Sequence, residues 1–411
     1  MAAVTVAANA DMVTTTPSER RTTGAFALFE CGYRPFFLLA ALHGAVLVPV
    51  WVAAVFGWLA LPVEMEVSWH AHQMVYGFAA AGLAGFMLTA VPNWTGAPPL
   101  RGAPLAALAL LWLVGRLAMT LTTVVPPRVA AGNDLAFIPA LVLGVIGPLL
   151  RARKTRNLML LIPLSVYWIG DWMMQAQFAG TGEDTAGTGS RIGIDVMLLM
   201  ITVIGGRIIP TFTTNALRAS GSSAAAVSVP IVDRSAIAAM ALLIVVEAVT
   251  EMSVLTGVIA LTAAVLNAIR LSGWRGERTL RLPILWILHL GYLWLIVGLA
   301  LKGAAALSDA VPEGAALHAL TVGAIGTMLL AVMSRAALGH TGRPLKAHAP
   351  TVGAYVLISV AAVLRVAAAL IPAAYMDLLM ASGIAWTVGF ALFLWIYAPI
   401  LVMPRTDGEP G

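Results

Sequence analysis

The sequence predicts an all-α integral membrane protein of about twelve transmembrane helices, with both termini cytoplasmic. Three observations carry this expectation. Of the 411 residues, 60% are hydrophobic and only 10% are charged, whereas a soluble domain carries roughly a quarter charged residues. That much apolar surface needs lipid as its solvent. Apolar runs of the length a helix needs to cross a bilayer recur from residue 36 to residue 402. Lys and Arg gather in alternate loops, as the positive-inside rule requires of a polytopic protein.

Taken in order, residues 1–33 are polar and rich in Thr and Ala, with Arg20 and Arg21. They lack the apolar core and cleavage site of a secretory signal, so they read as a disordered cytoplasmic tail. The apolar runs come next, at 36–58, 70–92, 103–123, 132–150, 157–178, 192–212, 235–250, 252–272, 283–305, 314–337, 351–371 and 375–402. The seventh and eighth are joined by almost no loop. The runs form one polytopic domain over 34–404, closed by a short cytoplasmic tail at 405–411. With the amino terminus inside, the inner loops hold Arg101, the cluster Arg151, Arg153, Lys154 and Arg156, and further basic residues such as Arg218, Arg278, Arg343 and Lys346. The outer loops hold only Arg128, Arg191 and Lys302, beside acids such as Glu64, Glu183 and Asp309. An odd number of helices would scramble this division.

Composition also excludes functions. The single cysteine, Cys31, rules out an internal disulfide and any multi-cysteine metal or iron–sulfur site. The net charge of +5 is spread over short loops, so no nucleic-acid partner is implied. The lipid bilayer is the partner that the composition itself demands.

The chemistry lies in the histidines. Six of the seven fall on four of the expected helices or at their ends. His70, His72 and His318 form an outer group; His43, His289 and His340 form an inner one; His348 is a loop residue. Imidazole at membrane depth is costly and points to function, and it suits iron, copper and zinc, including haem iron. If the histidines share sites, the first, second, ninth and tenth helices must pack together. His70 and His72 lie two residues apart, so on a regular helix they point roughly 200 degrees from one another. One of them reaches a metal centre and the other reaches something different.

Buried carboxylates commonly mark proton relays. Asp171 and Glu247 are the candidates here, while Asp195 reads as interfacial. Arg116 and Arg365 read as structural partners for such acids. Tyr76 and Tyr292 lie one turn beyond His72 and His289, where each reaches a neighbouring site or bonds between helices. Trp58, Trp69 and Trp94 read as an interfacial belt.

Several stretches resemble the NnrS family of bacterial membrane proteins. They are Tyr-Arg-Pro-Phe-Phe at 33–37, Trp-His-Ala-His-Gln-Met at 69–74, Gly-Arg-Ile-Ile-Pro-Thr-Phe-Thr at 206–213 and Leu-His-Leu-Gly-Tyr-Leu-Trp at 288–294. A longer one begins His-Ala-Leu-Thr-Val-Gly at 318 and runs on to Leu-Gly-His-Thr-Gly-Arg-Pro-Leu at 338–345. This chain has Gln73 where the family usually has Glu. The resemblance implies an inner-membrane protein with one or two haem b groups, copper or a second metal, and a link to nitric oxide. It implies ligands among His43, His70, His72, His289, His318 and His340, with Arg207 or Arg343 beside a haem propionate. The expected activity is reduction of nitric oxide to nitrous oxide, with electrons from a quinol or a small redox protein and protons through Asp171, Glu247 and Tyr76. A haem protein that binds nitric oxide without turnover, as sensor or carrier, is the second reading. A transporter is the third, but it leaves the histidines unexplained.

Overall fold

A computed structural model describes residues 26–61, 66–152, 158–250 and 252–409. Most of the expected amino-terminal tail therefore lies outside the described residues, as do Arg153, Lys154, Arg156 and Glu64. Among the described residues every regular element is helical, and twelve long helices stand where twelve apolar runs were expected. They are α1 (Tyr33–Val55), α2 (Val67–Thr95), α3 (Ala103–Thr120) and α4 (Pro127–Ala152). Next come α5 (Leu161–Phe178), α6 (Thr185–Ala219), α7 (Pro230–Thr250) and α8 (Val254–Gly273). The last are α9 (Pro283–Leu307), α10 (Glu313–His340), α11 (Ala349–Leu370) and α12 (Tyr375–Val402). Ten are long and apolar enough to cross a membrane; α5 and α7 are not among them. Their shortfall has a cause, because both carry polar side chains that the interior uses: Asp171 and Gln175 on α5, Glu247 on α7.

The closely spaced pair α7 and α8 is divided by a real helix start. The Ser253 hydroxyl accepts the backbone N–H of Thr256, capping α8. The three basic residues assigned to outer loops are helical instead: Arg128 lies in the first turn of α4. Arg191 lies in α6, which starts earlier than its apolar run, and Lys302 is buried inside α9. Trp69 is not a belt residue: it is 2% exposed, whereas Trp58 is 69% exposed.

The chain closes on itself. Ala27 N–H donates to the Val402 carbonyl, and the buried Arg34 guanidinium donates to the carbonyls of Leu401 and Met403. The first and last helices are thus neighbours, and the two described ends lie at one end of the bundle. The tail beyond α12 folds back as well, with Thr406 N–H on the Thr341 carbonyl. Large apolar side chains such as Leu143, Val249 and Trp395 point outward, 70–79% exposed, as lipid-facing residues do.

Inside, α10 is the organising helix, packed against α1, α2, α9, α11 and α12. The expected grouping of α1, α2, α9 and α10 holds through it, with α9 joining the group by way of α10. Lipid tails are as apolar as Leu, so helices in a bilayer associate by close packing and internal hydrogen bonds rather than by escape from water. Small residues let backbones approach. On α6, Gly189 and Gly193 form a one-turn pair against α5 and α2. A Cβ at Gly189 would overlap the Gly170 carbonyl, and one at Gly193 would overlap the Tyr76 hydroxyl. Substituting Gly193→Val should therefore lower the thermal unfolding temperature in detergent, by overpacking worth about 1–3 kcal/mol. Gly132→Ala, with no atom within 4 Å of the new methyl, should leave the temperature unchanged or raise it.

Candidate functional site

The site is built on α2. Its first turns are α-helical to His72, and it then widens into a π-helix over Gln73–Ala79. The same occurs on α10, where Ala319–Gly326 is π-helical immediately after His318, and on α6, where Ile201–Gly205 precedes Arg207. Such stretches are rare and occur frequently at functional sites. Each contains glycine, at Gly77, Gly205 or Gly323 and Gly326, so the wider turn costs little in side-chain crowding.

Because the turns holding His70 and His72 are regular, the two rings leave α2 on different sides, as their spacing predicts. His70 lines a cavity between α1, α2, α10 and α12, together with His318 and Arg365. Its ring stacks on Trp51 at 4.6 Å, and its Nδ1 is buried with no hydrogen-bond partner. His318 Nδ1 donates to the Gly314 carbonyl at 2.7 Å, which leaves the lone pair on Nε2. The remaining wall is mostly apolar, with Val48, Phe78, Ile325 and Trp386 among its side chains. Arg365 pairs with no acid among the described residues; it lies over the Tyr375 ring and beside this cavity.

His72 faces the opposite way and is fully buried. Its Nε2 is 2.9 Å from Asp171 Oδ1 on α5 and 2.9 Å from Asp134 Oδ2 on α4. Gln175, one turn beyond Asp171, places its amide at 2.9 Å from the same nitrogen and at 2.7 Å from Asp134 Oδ2. Arg116 on α3 forms an ion pair with the other oxygen of Asp134 and donates to Gln73 Oε1 at 3.1 Å. Gln73 in turn donates to the Arg116 carbonyl and the Thr120 hydroxyl. Gln73 thus acts as an amide here, accepting from a cation and donating to two oxygens. Tyr76 donates to the Gly189 carbonyl at 2.7 Å and lies against Tyr167, its ring 5.5 Å from that of His72.

A separate buried cluster joins α6, α7 and α9. Lys302 Nζ donates to Asp195 Oδ1 at 3.0 Å and to Glu247 Oε2. Asp195 is 1% exposed, so it is not interfacial, and its second oxygen has no partner. A third cluster ties Arg270 to Asp233, Asn267 and Tyr292. Tyr292 thus bonds between helices and does not serve a site at His289.

The inner histidines do not converge. His43 bonds to the Gln73 carbonyl at 3.1 Å and meets Trp112 edge-on. His289 meets the Thr213 hydroxyl at 3.0 Å, with its Nδ1 unpartnered. His340, at the end of α10, lies 5.5 Å from the Tyr33 ring and lines a second cavity with Arg335 and Trp94. Arg335 sits over Phe212 at 3.9 Å. Arg207 is half-buried on α6, next to Ile208 of that second cavity. Arg343 is half-buried in the turn after α10, where it donates to the Thr341 carbonyl.

Asp134 and Gln175 are polar residues that the sequence did not single out, and Lys302 is one expected in an outer loop. Asp134 and Lys302 lie within the expected spans 132–150 and 283–305. The rule that marked Asp171 and Glu247 marks both of them equally. Gln175 carries no charge and gave no comparable signal.

The Lys302 cluster yields a test of its energetics. Removing one partner of a buried ion pair strands the other, at about 3–5 kcal/mol. Lys302→Met should therefore lower the unfolding temperature strongly, and adding Asp195→Asn with Glu247→Gln should recover most of the loss. Thermal denaturation of the wild type and both variants in one detergent measures both effects.

No curated protein matches the chain. The sequence profile of the family described as NnrS protein matches residues 27–405, from just before α1 to just after α12. The chain therefore belongs to the NnrS family over nearly its whole length.

Proposed function

We propose that this protein is a haem-bearing, multi-pass protein of the bacterial inner membrane that removes nitric oxide, reducing it to nitrous oxide. The observation that carries the proposal is the cavity between α1, α2, α10 and α12 with His70 and His318 in its wall. Its features fit a haem. One histidine has an unpartnered buried nitrogen, and the other has its tautomer set by a backbone carbonyl, the arrangement typical of a metal-ligating imidazole. The walls are apolar, and Arg365 supplies a cation for a propionate. Bound there, haem would supply an iron that takes nitric oxide and passes electrons to it.

The chain's own residues hold the cavity in shape and manage charge. Two nitric oxide molecules, two electrons and two protons yield nitrous oxide and water, so protons must reach the cavity. Ile194 lines the cavity and Asp195 follows it in sequence. Asp195 and Glu247 share one ammonium, so with both ionised the cluster keeps one negative charge that a proton neutralises. Glu247 is accordingly assigned to proton handling. Tyr76 and Asp171 act from behind α2. Their bonds to Gly189 and His72 fix the helix against α5 and α6, so that His70 keeps its aim into the cavity. Electrons come from a quinol or a small redox protein.

Purified protein should show haem absorption bands that shift with nitric oxide, and it should consume the gas when supplied with a reductant. His70→Ala and His318→Ala should each reduce the haem per chain. The absence of haem bands overturns the reading. Haem that binds nitric oxide without consuming it establishes a carrier instead.

A further inference from the structure

Imidazole Nε2 carries at most one hydrogen, yet three polar atoms stand 2.9 Å from Nε2 of His72: Asp171 Oδ1, Asp134 Oδ2 and Gln175 Nε2. All four side chains are buried, the most exposed at 3%. Gln175 Oε1 meanwhile has no partner. The two ends of a side-chain amide have the same shape, and their assignment comes from the hydrogen bonds around them. Turning the Gln175 amide over brings Oε1 to the place that Nε2 holds. One point is then surrounded by an imidazole nitrogen, two carboxylate oxygens and an amide oxygen. With no cation among them, the two carboxylates would face that oxygen across a dry interior.

The spacing fits an ion. Ligands about 2.1 Å from an octahedral centre lie about 3.0 Å apart along each edge; a tetrahedral centre of similar bond length spreads them wider. Among the described residues, His72, Asp134 and Asp171 form the one group of His, Cys, Asp and Glu atoms close enough to share a metal. Oxygen donors with one imidazole suit Mn²⁺ or Fe²⁺, and the absence of sulfur from the set disfavours Cu⁺. The surroundings support the ligands. Arg116 holds the outer oxygen of Asp134, and Gln73 holds Arg116, as partners of ligating carboxylates do.

We infer that His72, Asp134, Asp171 and Gln175 form a binding site for a divalent first-row ion of octahedral habit, Mn²⁺ or Fe²⁺, distinct from the cavity of His70 and His318. The site stands on these four side chains and does not rest on the presence of haem. It occupies the other side of α2, so one short helical segment supplies a histidine to each.

The test is retention of Mn²⁺ by the full-length protein in detergent after passage over a chelating resin, measured as manganese per chain. The wild type should retain one ion, and pulsed electron paramagnetic resonance should show coupling of the manganese to nitrogen. His72→Gln and Asp171→Asn should each lower retention at least tenfold, and the nitrogen coupling should vanish in His72→Gln. Gln175→Glu, which places a carboxylate at the fourth position, should retain manganese at least as well as the wild type and guards against loss through misfolding. His318→Ala should retain manganese whatever happens to haem, which separates this site from the proposed cavity. Failure of the wild type to retain Mn²⁺ or Fe²⁺, retention of zinc alone, or equal retention by His72→Gln would overturn the inference.

Discussion

Arg116 carries a charge into the interior of a membrane protein, and that charge has to be met there. The bilayer core supplies no water, so its guanidinium is met by Asp134, and a chain of polar contacts extends from that pair. Gln73 takes the next guanidinium hydrogen, and His72 and Gln175 meet the other oxygen of Asp134. Asp171 completes the ring from α5. Helices α2, α3, α4 and α5 are therefore placed relative to one another by a small number of bonds, each short and each directional. In a bilayer such bonds do much of what burial of apolar surface does in water.

The same rule appears twice more, with a different balance of charge. Lys302 sits between two carboxylates on α6 and α7, while Arg270 is matched by the single acid Asp233 and by neutral oxygens from Asn267 and Tyr292. The balanced cluster is a structural joint. The unbalanced one holds one acid more than its single cation can match, and it is the cluster to which we propose to assign proton handling.

Much of this was legible in the sequence. Composition and the length of the apolar runs foretold the twelve helices, and the spacing of His70 and His72 foretold that they serve different surroundings. Charge position along the chain was a poorer guide. Lys302 and Arg191 counted as loop residues because a basic side chain near the end of an apolar run reads as an anchor; only the acids opposite reveal Lys302 as buried. The grouping of His43, His289 and His340 by depth failed for a related reason. Depth is one coordinate, and three rings expected at one depth face Trp112, Thr213 and Tyr33 in turn. The π-helical stretches were hidden altogether. Each adds a residue to a turn and rotates the rest of its helix, so a helical wheel drawn through His318 to Met328 assigns faces that the folded helix does not have.

The clamp between Arg34 and the end of α12 bears on the order in which the protein is made. Arg34 precedes almost the whole membrane domain in synthesis, and the carbonyls it needs, those of Leu401 and Met403, are made only with the last of the twelve helices. Until they arrive, the first helix holds a cation whose final acceptors do not yet exist. The nascent chain must keep that end of α1 at the wet surface or in the care of the insertion machinery. The bonds of Arg34 to Leu401 and Met403 can therefore form only once the last helix docks beside the first.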